Sequence, residues 1–189
     1  NNVPVDRRRE SARGMTQSDG RISVARANEM DHDEFVEAFG SVFEYAPWVA
    51  SNTWSSKPFE SVDGLQDALM QSLKGADRGD QIKFLSGHTD MQVTTEAIAA
   101  MTPDSQQEHI AAGFDKLTAH QQERIEHLVT AYRTRFGFPF VAALRGRNAA
   151  EILALAEQHL GNDSTDMELY FALTEVGKIT RMRLDKLAV

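Results

Sequence analysis

The chain has 189 residues, 41% hydrophobic and 25% charged, with a formal net charge of −8, the profile of one globular domain that can bury a core without cross-links. The acidic balance excludes a general nucleic-acid binder, which needs a basic surface to displace counterions, but leaves room for a locally positive site for a small anion. The absence of cysteine excludes a disulfide framework, a thiolate metal site and a cysteine nucleophile, and no apolar run has the length of a bilayer span. Neither nucleic acid nor membrane is therefore expected as a partner. With no secretory pattern at the start, the expected location is the cytoplasm.

Residues 1–20 are polar, carry the cluster Arg7-Arg8-Arg9 and lack periodic apolar positions; a flexible N-terminal extension is expected there, followed by one domain over 21–189. From that point helical spacing recurs. Asp31 or Asp33 caps a helix carrying Phe35, Phe39, Val42 and Phe43, broken by Pro47. Phe59, Val62, Leu65, Leu69 and Leu73 form a second stripe, with Ser61 as cap and Gly75 as stop. "QIKFLSGH" is a short apolar piece and "TTEAIAAM" a short helix. "TPDSQQEHIAAGFDKL" opens with Pro103 and acidic residues, as helix N-termini prefer.

"TAHQQERIEHLVTAYRTRF" places Ile125, Leu128, Tyr132 and Phe136 on one face. In "RFGFPFVAALRGR", residues 135–147, Pro139 suits neither a helix interior nor a central strand. The stretch reads as a helix end followed by a shaped apolar loop that presents backbone amides to something bound. Asn148 and Glu151 form a capping pair before "ILALAEQHL", and Gly161 ends it. Ser164 or Thr165 caps the last helix, with Leu169, Leu173, Val176, Ile179 and Leu184 on one face. No segment alternates with period two, and no repeat is visible. The expected fold is all-α, a single compact bundle of about seven or eight helices.

Common catalytic and metal-binding patterns are missing. His109, His120 and His127 are spaced by 11 and 7, not the three or four of a helical metal pair, so no metal is expected. There is no glycine-rich phosphate loop and no Gly-x-Ser-x-Gly elbow. His88, in "LSGHTDM", sits in a loop or helix start, where it is either structural or a general acid or base near neutral pH. Ser105 and Glu108, in "SQQEH", have the spacing of a capping box; a helix N-terminus is also a favourable anion site.

Five segments, in order, resemble one family. "FVEAFGSVFEYAPWVA" is similar to a Phe-Glu-x-x-Pro-Trp-Val-Ala segment. "GHTDM" stands where His-Pro-Asp/Glu-Leu occurs, and "SQQEHIAAG" where Ser-x-x-Glu-Gln-x-x-Ala-Gly occurs. "AYRTRFGFPFVAALRG" is similar to Tyr…Phe-Gly-Phe-Pro-Phe-Val…Arg-Gly, and "LYFALTEVGKITRMRLDKL" to the closing helix. Over roughly residues 22–187 the chain resembles the 2-oxo-4-hydroxy-4-carboxy-5-ureidoimidazoline (OHCU) decarboxylases of the urate-to-allantoin route.

The resemblance implies an all-α enzyme without metal or organic cofactor that converts OHCU to (S)-allantoin, with OHCU as small-molecule partner. The family's tendency to dimerise suggests a homodimer. His88 stands at the catalytic histidine, Glu108 at the catalytic glutamate, and Ser105 at a substrate-contacting serine. Phe140, Val141, Ala142, Ala143 and Leu144 match a segment whose backbone contacts the substrate, with Arg145 holding that wall or supporting charge. The chain departs from the pattern twice, with Thr89 for proline and His109 for glutamine; both are expected to face the substrate. Thr89 relaxes the approach to His88, and a neutral His109 offers one donor and one acceptor. The eukaryotic peroxisomal ending Ser-Lys-Leu is replaced by Leu187-Ala188-Val189, consistent with a cytoplasmic location.

The implied chemistry is loss of CO2 from a carbon bearing a hydroxyl and adjoining an imine. Electrons flow into the ring, and protonation follows on one face. His88 would orient the carboxylate and control the proton, and Glu108 would hold the hydroxyl or ureido group. Two other readings stand beside this one. A drifted member would bind a related ureide or heterocycle without turnover. A helical interaction module would expose Phe136, Phe138 and Phe140 as a patch rather than bury them.

Overall fold

A computed structural model describes residues 20–88, 91 and 94–189. Most of the expected N-terminal extension, and Thr89, lie outside the described residues. Among the described residues the fold is all-α, with no strand and ten helices, of which eight have seven or more residues. They are α1 (Val24–Glu29), α2 (His32–Phe39), α3 (Pro47–Thr53), α4 (Val62–Lys74), α5 (Arg78–Ser86), α6 (Thr95–Ala99), α7 (Pro103–Ala111), α8 (Ala119–Phe136), α9 (Ala149–Leu160) and α10 (Thr165–Leu187).

The stripes read from the sequence become the core. Phe35 and Phe39 of α2, Leu65, Leu69 and Leu73 of α4, Ile125, Leu128 and Tyr132 of α8, and Leu169, Leu173, Val176 and Leu184 of α10 are all buried in one cluster. Helix α2 packs on α3, α3 on α4, α4 on α10, and α8 on α9. The two ends of the described chain are tied by a short parallel bridge between Ile22 and Ala188, with Ile22 N–H donating to the Leu187 carbonyl at 2.7 Å.

The structure chooses among several caps. Asp31, not Asp33, caps α2 and forms a reciprocal box with Glu34; Ser61, Asn148 and Ser164 cap α4, α9 and α10. Two expectations are corrected. The first long helix ends at Phe39 and continues as a single tighter turn over 40–42, so Val42 and Phe43 lie beyond it. Pro47 breaks nothing and instead opens α3 at its first turn, where its missing N–H costs no helical bond. The short apolar piece "QIKFLSGH" belongs mostly to α5.

The stretch 135–147 takes the form expected of it. Helix α8 closes on Gly137 in the left-handed region, φ 84°, a conformation that favours glycine because it has no Cβ. Residues 138–144 then run without helix or strand, and all are buried. Phe136, Phe138 and Phe140 are only 5%, 0% and 2% exposed, so they form no surface patch.

This segment is held by one carboxylate of α10. Glu175 accepts the Ala143 N–H at 2.9 Å and the Arg147 guanidinium at 2.6 Å, and Lys178 approaches its other oxygen at 2.5 Å. Arg147 also donates to the Ala143 carbonyl at 3.1 Å. Burial works to raise the Glu175 pKa, but the bonds from Arg147, Lys178 and Ala143 prevail and hold it below the ordinary carboxylate value. A depressed folded-state value means that the stabilisation is present above the unfolded carboxylate's titration and is lost as acid protonates Glu175. Replacing Glu175 with Ala is expected to cost about 3 kcal/mol, near the lower end for breaking a buried pair because Arg147 and Lys178 can turn toward water. Urea unfolding at neutral pH measures this, and the deficit should shrink on acidification.

Candidate functional site

The non-helical segment 138–144 forms one wall of a cavity of about 100 Å³. Phe140, Val141, Ala142 and Leu144 contribute to that wall; His88 comes from just beyond the end of α5; Ser105, Glu108 and His109 come from α7. Ile179 and Arg183 of α10, Glu44, Met91 and Met101 complete the lining. The three α7 residues share a face because they are three and four positions apart. No residue of α7 is fully buried. Its inward face is half-buried and polar, which suits a cavity rim and not a core.

The capping-box interpretation of Ser105 and Glu108 is corrected here. Thr102 caps α7, accepting the Ser105 N–H at 3.4 Å, with Pro103 in the first turn. Ser105 and Glu108 are both inside the helix, one turn apart, so their side chains are free for other partners. Ser105 Oγ accepts from the Thr102 hydroxyl at 3.1 Å.

The two histidines are held alike. His88 Nδ1 lies 3.1 Å from the Phe84 carbonyl, and His109 Nδ1 lies 2.8 Å from the Ser105 carbonyl. A carbonyl oxygen only accepts, so each Nδ1 carries the proton, and in the neutral ring Nε2 is left as a bare acceptor. His109 Nε2 is buried and meets no partner among the described residues. Edge contacts with Phe84 and Phe114 set the two ring planes, with centroids at 4.8 Å and 5.3 Å. Burial lowers the pKa of both imidazoles, outweighing the opposing effect of the backbone bonds. Glu108 is shifted the other way: burial raises its pKa, partly opposed by Arg183 and Lys186.

Sequence reasoning missed the cavity's fixed ion pair. Arg183 Nη2 meets the Glu44 carboxylate at 2.9 Å, with side chains only 12% and 23% exposed, and Arg183 Nη1 donates to the Val42 carbonyl at 3.3 Å. Arg183 is the sole Arg or Lys among the described lining residues. A signal was available: Arg183 falls four residues after Ile179 on the apolar face of the last helix, where a charge needs a partner, and Glu44 sits inside the quoted "FEYAPWVA".

One residue of the predicted wall departs from expectation. Ala143 does not line the cavity; its N–H is taken by Glu175 and its carbonyl by Arg147. Val141 and Ala142 differ from it. They are buried on the cavity, and their backbone groups have no hydrogen-bond partner among the described residues. Buried peptide groups are rarely left unpaired, so this pair is available to something bound. Arg145 is exposed and lies outside the cavity, and the arginine that secures the wall is Arg147. His120 and His127 are exposed on α8. No group of three His, Asp or Glu residues capable of holding a metal ion occurs among the described residues, and no described helix is long and apolar enough to cross a membrane.

An all-α domain with a small cavity that sets histidine, glutamate and arginine side chains among apolar ones is the class that this geometry defines. The family model for OHCU decarboxylase matches residues 28–185, and the chain belongs to that family. Similar proteins include the 2-oxo-4-hydroxy-4-carboxy-5-ureidoimidazoline decarboxylases of Halalkalicoccus jeotgali, 38% identical over 89% of this chain and 93% of the relative, and of Haloferax volcanii, 39% identical over 86% and 94%. The Bos taurus protein of the same name is 35% identical over 88% and 97%. The fold is similar to the crystal structure of (S)-allantoin synthase, with a TM-score of 0.68 and 23% identity; the match covers 87% of this chain and 53% of that one. It is also similar to that of an OHCU decarboxylase in the presence of (S)-allantoin, with a TM-score of 0.59, 22% identity, and coverage of 83% and 97%.

The lowered imidazole pKa values can be checked directly. In the unfolded chain histidine takes up its proton near pH 6.5; in the fold His88 and His109 resist it. The unfolded state then binds more protons, so these residues make stability fall as pH drops below about 6.5. Ring-proton NMR should show both titrating below that pH.

Proposed function

We propose that this protein decarboxylates OHCU to (S)-allantoin without a cofactor, as a carboxy-lyase of urate degradation. The observation that carries this is the convergence of His88, Glu108 and Arg183 on one half-enclosed cavity, in a chain of the OHCU decarboxylase family. A homodimer in the cytoplasm completes the reading.

Each side chain has a role that follows from its surroundings. Arg183, the fixed cation, receives the substrate carboxylate and holds it in place; Glu44 keeps the guanidinium oriented. Neutral His88 offers Nε2 to the hydroxyl on the same carbon and acts as base. When the bond to the carboxylate breaks, CO2 leaves and its electron pair enters the ring, forming a carbon–carbon double bond while the imine nitrogen gains negative charge. The hydroxyl proton passes to His88, the hydroxyl carbon becomes a carbonyl, and the neighbouring carbon is protonated from one side. One proton from solvent balances the loss of CO2. Protonation from a fixed direction yields one enantiomer.

Glu108 is suited to donate. Burial raises its pKa, and an arriving carboxylate would raise it further by like-charge repulsion. Its protonated carboxyl can bond the imine nitrogen or the ureido oxygen where charge develops. The unpaired peptide groups of Val141 and Ala142 match the alternating N–H and C=O groups of a ureide. His109 Nε2 is an acceptor only, so it pairs with a substrate N–H. Thr89, next to His88 in sequence, is assigned to the same substrate-facing group, with Ser105.

The test generates OHCU from urate with the upstream enzymes and follows optically active allantoin by circular dichroism. Rapid formation of the (S) form is expected, with a loss of about 10²–10⁴-fold in His88→Ala, the range for a general acid–base residue. A wild-type rate equal to spontaneous decay, from folded protein, would refute the activity and favour a drifted, non-catalytic member.

His109→Gln offers an amide where the imidazole accepts. It should retain turnover and make the acid side of the pH–rate profile less steep, because the amide does not titrate and the protonation of His88 remains. His109→Leu should raise KM more than it lowers kcat. Steady-state kinetics between pH 5 and pH 8, values spanning the histidine range, distinguish the two variants.

A further inference from the structure

Several open clefts adjoin the cavity, and two of them differ in charge. One, beside α6, shares Glu44, Met101 and Ser105 with the cavity, and Glu44 is its sole charged lining residue among those described. The other lies between α7 and α10 and has a volume of about 330 Å³. It shares Glu108, Leu144 and Arg183 with the cavity, so the two spaces are contiguous.

The α7–α10 groove carries four cations, Arg145, Arg147, Arg183 and Lys186, against two acids, Asp104 and Glu108. Three of the cations are occupied: Arg147 by Glu175, Arg183 by Glu44 and Lys186 by Asp104. Arg145 is exposed and has no acidic partner among the described residues. It is followed by Gly146, whose φ of 76° permits the tight turn that sets Arg145 at the groove and directs Arg147 to Glu175. An unpaired guanidinium at the mouth of a half-enclosed groove, on a chain of net charge −8, is a local attractor for anions.

We propose that this groove is a carboxylate-capture site. Arg145 takes the anionic substrate from solvent, and the groove delivers it to Arg183 at the junction with the cavity. The cleft beside α6 has no Arg or Lys among its described lining residues to draw the same anion. The identity of the anion as a ureido-carboxylate rests on the decarboxylase reading; the groove's preference for a carboxylate does not.

The test uses N-carbamoylglycinate, which joins a ureido group to a carboxylate, and its neutral amide as control. Binding to the full chain is followed by NMR titration in wild type, Arg145→Gln and Arg145→Glu. At low salt the acid should bind more tightly than the amide. Arg145→Gln should weaken the acid about threefold and Arg145→Glu about tenfold, with the amide unaffected, and the differences should vanish near 1 M salt, where the Debye length is about 3 Å. With OHCU, kcat/KM should fall in parallel while kcat holds, as expected for a charge that governs encounter. Equal acid binding in all three proteins, or no acid binding by wild type, would overturn the capture site. Wild-type inactivity would refute the decarboxylase reading alone, because the binding titration still decides the groove.

Discussion

The Glu175 carboxylate, fixed on α10 and reaching back to the segment after α8, is the interaction on which the cavity depends. Residues 138–144 have neither helical nor sheet partners for their peptide groups, and a buried stretch of this kind is costly unless something ties it. Glu175 ties it at Ala143 and, through Arg147, at the turn that follows. With that one residue secured, Val141 and Ala142 on one side of it keep their peptide groups open toward the cavity. The wall is therefore tied where it is anchored and unsatisfied where it faces the cavity. This is the arrangement preorganised recognition requires.

Helix α10 does more than hold the wall. Glu168, Glu175 and Arg183 lie along it, and each is paired with a different part of the chain. Glu168, fully buried, accepts from the Tyr132 hydroxyl at 2.6 Å and lies 2.9 Å from His159 Nδ1, which joins α8 and α9 to α10. Behind the wall, Tyr132 and Phe171 pack against Phe140 with ring centroids at 5.2 Å and 6.0 Å. Charges inside a core stabilise little on net when their desolvation is counted, but they accept few geometries. Here they select the one in which His88, Glu108 and Arg183 share a cavity.

Within the cavity, burial acts on titratable groups in opposite directions. It keeps the imidazoles of His88 and His109 neutral and favours the protonated form of Glu108. Imidazoles with a free acceptor nitrogen therefore line the same cavity as a carboxyl group whose protonated form is favoured relative to a free glutamate. The backbone carbonyls of Phe84 and Ser105 assign the tautomers. The permanent charges, Glu44 and Arg183, neutralise one another until an anion arrives to compete for the guanidinium.

The apolar periods of α2, α4, α8 and α10 were legible in the chain because a helix shows its buried face every three or four residues. So were the caps at Ser61 and Asn148, and the end of α8 before Gly137, which depend on local chemistry. Ser105 and Glu108 misled as a capping box because the same three-residue spacing also places two side chains on one helix face. Their neighbour Thr102 has the same capping ability, and only the folded backbone shows which one is used.

The sequence by itself determined the helical class, the apolar faces, and the set of residues that resemble a decarboxylase site. The tertiary structure decided that Arg183, 139 residues from Glu44, lines the same cavity as His88 and Glu108, that Ala143 serves the scaffold while its neighbours face the cavity, and that His109 presents a lone pair without a partner among the described residues. The physical reason is range. Caps and periodicity arise between residues a few positions apart, whereas ion pairing, burial and the choice of tautomer depend on what distant segments bring together.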